Sequence, residues 1–230
     1  MEIHPSLWTM LIAKILHKDM HDLALIDHVI SAGIVFVVVL IIGLIIRSSI
    51  NLVPGKLQQL LEVTIEGLQN VLLDVMGPQG TRYLPLIGGL AFFIFISNFF
   101  GLVPGFSAPT GNLNTTVACA IIVFLYYNFQ GFKEHGVGYF KHFLGPVWWL
   151  APLLLIIEVI GHLARPLSLS VRLFGNISGE HIATGVFYDM FAYLLPLPMM
   201  VLGLFASFLQ TFIFIMLTMV YIALSISHDH

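Results

Sequence analysis

Apolar runs set off by glycine and proline dominate the chain, and a run that crosses a bilayer as a helix needs about 20 residues. The first such run extends from Asp27 to Ile46 and is closed by Arg47. Four more follow, over Leu84 to Val103, Thr115 to Phe132, Val147 to Phe187 and Met199 to Ser225. An earlier run, Leu7 to Leu16, is too short to span and follows Glu2 with no basic stretch before it, so it does not read as a cleavable signal peptide. Residues 1–26 are therefore expected to form an extracytoplasmic or interfacial segment.

Between the first and second spans the pattern changes. From Pro54 to Met76, Leu57, Leu61, Ile65, Leu68, Leu72 and Val75 recur on one side, while Gln59, Glu62, Glu66, Asn70 and Asp74 gather on the other. That is helical periodicity, and three carboxylates make the segment a poor span, so it is expected to lie in the interface with its acids solvated. Pro54-Gly55 starts it and Gly77-Pro78 stops it. The pattern as a whole predicts an all-α integral membrane protein with five transmembrane traversals plus one interfacial amphipathic helix. Residues 27–230 make a single polytopic domain in which the last two spans pair as a long hairpin.

Composition agrees. The chain is 58% hydrophobic and 9% charged, against about 25% charged in soluble domains. A net charge of -3 without a basic tract argues against nucleic acid as a partner. Cys119 is the single cysteine, which excludes an intrachain disulfide, and its apolar setting predicts a buried structural thiol. His17 and His21 have a helical spacing that suits a metal, but no acid or cysteine completes a site, so no metal or cofactor is expected.

Basic residues orient the spans. Arg47, Lys56, Arg82, Lys133 and Lys141 fall on one side of the predicted topology, whereas the connection from Pro104 to Asn114 and the turn around Asp189, Pro196 and Pro198 carry no Lys or Arg. Lys14 and Lys18 oppose this but are accompanied by Asp19, Asp22 and Asp27. The positive-inside rule places the first group in the cytoplasm, with the N-terminus outside and the C-terminus inside.

Arg172 is the residue this pattern does not explain, because it stands within the Val147 to Phe187 run. A guanidinium stays charged in proteins, and at mid-membrane it costs about 2.5 to 3.5 kcal/mol on insertion scales, so such a residue marks an ion pathway by default. At 100° per residue, Glu158, Arg165, Ser168, Asn176 and Glu180 fall within about 80° of it on an unbroken helix. Gln210 is the strongly polar side chain deep in the last run. Structural readings compete. Arg172 has Glu180 as a possible internal partner, Glu158 and Arg165 are spaced to pair with each other, and Gln210 is suited to bind one helix to another.

RPLSLSVRLFGN followed by Glu180 and His181, and LQTFIFIMLTMVYIALS near the C-terminus, resemble subunit a of the membrane sector of rotary ATP synthases. PGKLQ and SNFFGLVPG resemble the same family, so the likeness runs from about Leu52 onward. The resemblance implies a stator that is not catalytic alone. It would face a ring of c subunits and assemble with the peripheral-stalk b subunits and the remainder of the synthase in the bacterial cell inner membrane. Two offset half-channels would lead protons to and from the ring carboxylate. Arg172 then matches the essential arginine, Asn176 the asparagine after it and Gln210 the polar position of the last helix. Glu158 matches an acid fourteen residues upstream and is a candidate for the cytoplasmic half-channel, with Ser168 and His162 nearby. Glu180 and His181 take the positions of the opposite half-channel. Gly203 departs from relatives that carry His or Glu seven residues before the glutamine, which leaves Glu180 and His181 without that partner.

Two other classes fit less well. An independent secondary transporter calls for inverted repeats or paired broken helices, and none is visible. A bis-histidine haem protein needs histidines facing each other, but His162 and His181 lie on one helix, roughly 28 Å apart at 1.5 Å per residue. An intramembrane serine protease of GxSxG type lacks its motif.

Overall fold

The computed structural model describes residues 27–48, 55–103, 105–136, 151–190 and 196–227. The segment 1–26 with His17 and His21, Pro54, Pro104, Lys141, residues 191–195 of the expected turn, and the terminal His228 and His230 lie outside the described residues.

Helix α1 covers Asp27–Ser48, α2 Lys56–Met76, α3 Leu84–Leu102, α4 Leu113–His135, α5 Ala151–Met190 and α6 Pro196–Ile226. A 3-10 segment, Gly77–Tyr83, links α2 to α3, and a shorter one, Pro109–Gly111, lies before α4. Among the described residues, five stretches are long and apolar enough to cross a membrane: Asp27–Leu44, Gln58–Leu102, Leu113–His135, Leu153–Phe187 and Leu197–Ile226. The chain is an all-α integral membrane protein.

Where the elements differ from expectation, local chemistry accounts for it. Pro196 and Pro198, expected to mark a turn, occupy the first turn of α6, where a helix has no use for the missing N–H. Helix α4 continues past Phe132 through Lys133 and His135, bases well placed at the carbonyl end of a helix, and stops at Gly136 with φ 56°. It starts at Asn112, whose side-chain oxygen accepts from the Asn114 N–H at 2.9 Å. Helix α5 runs 40 residues without interruption, with Pro166 inside it.

The seam of α2 is displaced from the expected one. Leu72 is fully buried, and Leu68, Val71, Val75 and Met76 pack beside it, whereas Ile65 is exposed, as are Leu60 and Val63 at 68% and 63%. The residues of this helix that join the apolar core all lie in its second half. The acids Glu62, Glu66 and Asp74 are exposed as expected. Gln58, at the start of the helix, is buried and donates to Glu62 Oε1 at 2.7 Å. Gly77, with φ 68°, reverses the chain after α2, and Gly80 lies so close that a Cβ there would come within 2.7 Å of the Leu72 carbonyl oxygen.

Helix α6 packs against α3, α4 and α5, and α4 packs against α5. Ile87, Ile94, Val123, Leu169, Leu173, Phe214, Met219 and Ile222 fill the space between them. Cys119 is buried in this core, as its setting predicts. Arg82 bridges to Glu134 at 3.5 Å, so the turn before α3 and the end of α4 share one side of the bundle. Helices α5 and α6 run antiparallel, with Glu180 beside Gly203, Asn176 beside Gln210 and Arg165 beside Tyr221.

Leu72→Ala should destabilise the purified protein by about 2 kcal/mol or more, as cavities under a buried leucine do, while Leu60→Ala should stay within about 0.5 kcal/mol. Unfolding in detergent measures both, and equal losses would contradict the displaced seam.

Candidate functional site

Helix α5 carries most of the candidate residues, and its packing divides the polar stripe. The buried seam follows Leu169, Leu173 and Ile177, each at most 2% exposed, which stand about 60° to 140° around the helix from Arg172. Arg172 lies at the edge of the open face with Ser168 and Asn176, all three exposed, whereas Glu158, Arg165 and Glu180 turn toward neighbours and are partly covered. The rest of the open face is apolar: Leu163, Leu167 and Val171 on α5, and Val201, Phe205 and Phe208 on α6.

Arg172 has neither an ion pair nor a hydrogen bond among the described residues. An internal Arg172–Glu180 pair is therefore absent. Asn176, one turn on, donates through Nδ2 to Gln210 Oε1 at 2.5 Å. Gln210 is 3% exposed, and its own Nε2 has no partner among the described residues. A buried amide N–H left unbonded costs about 1 to 3 kcal/mol, so this is a place that favours water or an incoming polar group. The direct neighbour of Gln210 is thus Asn176.

Glu180 and His181 separate. Glu180 turns toward α6, where its carboxylate fills the space that a Cβ on Gly203 would need, next to Leu102. His181 leans on α3 and the Pro109–Gly111 turn: a Cβ on Gly101 would meet its Nε2 at 2.7 Å and the Ala108 methyl at 2.6 Å. Nearby, Ser178 Oγ donates to the Gly111 carbonyl at 3.3 Å. Thr110 Oγ1 donates to Asn98 Oδ1 at 2.7 Å in a fully buried contact. Asn98 Nδ2, Ser97 Oγ and Ser207 Oγ are also buried without partners among the described residues.

Thr110, Ser97 and Ser207 escape a sequence reading. Thr110 sits in what reads as an ordinary loop, and single serines in apolar runs carry no signal. Ser207 has a usable cue in standing three residues before Gln210, on the same helical face.

At the other end of α5, Arg165 bridges to Glu158 at 3.8 Å and lays its guanidinium over the Tyr221 ring, 5.6 Å from the centroid. The pairing of Glu158 with Arg165, the competing structural reading of the two, is present. His162 is buried, with Nε2 2.8 Å from Asn128 Oδ1 on α4. Ser168 stands between this cluster and Arg172.

The fold and these residues define an all-helical, polytopic membrane protein with polar groups built into its spans and a lone cation on an apolar face. Residues 29–223 match the family described as ATP synthase A chain. The ATP synthase subunit a of Geobacter sulfurreducens is 45% identical over 228 residues, covering 99% of this chain and 100% of that protein. That of Trichlorobacter lovleyi is 44% identical over 229 residues with the same coverage. ATP synthase subunit a 2 of Syntrophotalea carbinolica is 48% identical over 204 residues, 89% of this chain and 87% of that protein. The chain belongs to the ATP synthase A chain family.

Interhelical hydrogen bonds in membranes contribute about 0.6 kcal/mol on average and up to about 1.7. A double-mutant cycle of Asn176→Leu and Gln210→Leu, read by unfolding of the purified protein, should return a coupling energy in that range. Strict additivity would contradict the contact.

Proposed function

We propose that this chain is the stator subunit a of a rotary ATP synthase. It provides two offset proton half-channels to and from the carboxylate of a c-ring, with Arg172 as the barrier that couples proton flow to rotation and ATP synthesis. Its partners are then the c-ring, the peripheral-stalk b subunits and the rest of the complex. Its place is the bacterial inner membrane, with the N-terminus outside and the C-terminus in the cytoplasm. The shared side of Arg82 and Glu134 agrees with the distribution of basic residues from which that orientation is argued.

One observation carries the reading: Arg172 is exposed, unpaired among the described residues and surrounded by apolar side chains. A permanent cation on a lipid-facing surface is unfavourable, and a second membrane body bearing a carboxylate at that depth removes the conflict. Near Arg172 a passing carboxylate is ionised, since an opposite charge within about 4 to 6 Å favours the charged form, while against lipid it takes up a proton. A proton must then leave the carboxylate before it reaches Arg172 and be replaced after it.

The remaining residues fall on the two sides of that barrier. Glu158, with Ser168 between it and Arg172, serves the cytoplasmic half-channel. Glu180 and His181 serve the outer one, and Asn176 with Gln210 holds the hairpin together beside the arginine. The partnerless Asn98, Ser97, Ser207 and Gln210 groups support an outer polar path, because water supplies the bonds they lack.

Sided labelling tests the division. With Cys119 replaced, a cysteine at position 158 should react with a membrane-impermeant thiol reagent from the cytoplasmic side, and cysteines at 180 and 181 from the other. Labelling of all three from one side would overturn the two-channel arrangement. Arg172→Lys keeps a charge but loses the planar fork and gains the capacity to deprotonate on burial. Membranes carrying it should therefore make no ATP under an imposed proton gradient, and wild-type synthesis would count against the barrier role.

A further inference from the structure

The cluster around His162 lies apart from the Arg172 region and involves three helices. His162 on α5 follows Glu158 by four residues and precedes Arg165 by three, so the three share a helical face. Its imidazole is buried against the edge-on pair of Phe124 and Tyr127, at centroid distances of 5.5 and 5.2 Å, and Tyr127 in turn contacts Tyr221 of α6 at 6.1 Å.

The tautomer follows from the neighbours. Asn128 Nδ2 donates to the Phe124 carbonyl at 2.7 Å, which turns Oδ1 toward His162 Nε2, 2.8 Å away. An amide oxygen only accepts, so Nε2 carries the proton and donates. That proton is committed to Asn128, and the imidazole packs against both rings.

The backbone shows why a tie is placed here. Pro166 has no N–H, so the His162 carbonyl cannot receive the helical bond from four residues on, and the proline ring crowds that same carbonyl. The two turns that carry Glu158, His162 and Arg165 thus lack one bond of the helical ladder, and the Asn128–His162 bond fastens them to α4.

We propose that His162 is a positioning residue of the inner pathway. Held by Asn128, it keeps the Pro166-weakened turn in the register that sets Arg165 against both Glu158 and Tyr221, and it acts as a fixed hydrogen-bond donor rather than a proton carrier. The proposal rests on the reading of this chain as the proton-conducting stator.

The test is ATP-driven proton pumping by inverted membrane vesicles that carry the whole complex. Glutamine places an N–H donor at the reach of Nε2 but does not titrate, so His162→Gln should pump at close to the wild-type rate with an unchanged pH profile. His162→Leu and Asn128→Leu should each assemble and pump about 3- to 20-fold more slowly, the range that one interhelical hydrogen bond in a bilayer commands. The double leucine variant should be no slower than either alone.

A His162→Gln enzyme as slow as His162→Leu, or one whose pH profile shifts, would make the imidazole a proton carrier and overturn the proposal. Loss of the assembled complex in both leucine variants would reduce the bond to a folding contact and overturn it equally. Arg172→Ala in parallel vesicles separates the two readings. If that variant is inactive while both leucine variants pump normally, the positioning role alone fails; if Arg172→Ala pumps normally, the stator reading itself fails.

Discussion

A guanidinium set midway along a 40-residue membrane helix, without a counter-charge among the described residues, is the constraint that the rest of the site has to accommodate. Among the described side chains of α5, the other strongly polar ones have a neighbour that accounts for them or stand toward one. Arg165 has Glu158 and the Tyr221 ring, Asn176 has Gln210, and His162 has Asn128. Arg172 differs in facing outward from the open side of the α5–α6 hairpin. Electrostatics makes that position costly in lipid and useful beside a carboxylate. If a ring moves past this face, as proposed, the apolar side chains around Arg172 on both helices suit it, because they offer contact without directional bonds that would have to be broken at each step.

Small residues complete the arrangement where polar ones must be admitted. Gly203 leaves on α6 the volume that the Glu180 carboxylate occupies, and Gly101 leaves on α3 the volume that the His181 ring occupies. The absence of a side chain at 203 reads in the sequence as the loss of a partner for Glu180. In the structure it is the means by which Glu180 comes against α6. The two adjacent residues, at positions 180 and 181, are thereby directed to different helices, about 100° apart as helical geometry requires.

The spans were legible because hydropathy over about 20 residues is a one-dimensional signal, and Arg172, Gln210 and the Glu158–Arg165 spacing stood out against it. The displaced seam of α2 was not, since Leu61 and Ile65 continue the apolar stripe although the residues that join the core begin at Leu68. Periodicity gives the face of a helix but not how far along it a neighbour extends. Pro196 and Pro198 carried two meanings, turn or first helical turn, and the structure has the second. The Asn128–His162 bond joins residues 34 apart, and although His162 stands out in its span, nothing in the sequence marks Asn128 as its partner. Such a pairing exists only once two helices are placed side by side.

The central claim is that Arg172 is the charge that keeps two proton paths from joining. The most direct measurement is passive proton conductance of the membrane sector in vesicles stripped of the catalytic head, comparing wild type with Arg172→Ala. Moving one charge through 100 mV is worth about 2.3 kcal/mol, so an opened path would discharge an imposed gradient readily. The account predicts that the alanine variant, assembled with its ring, leaks protons faster than the wild type. A membrane sector that stays as proton-tight as the wild type without the arginine would contradict it.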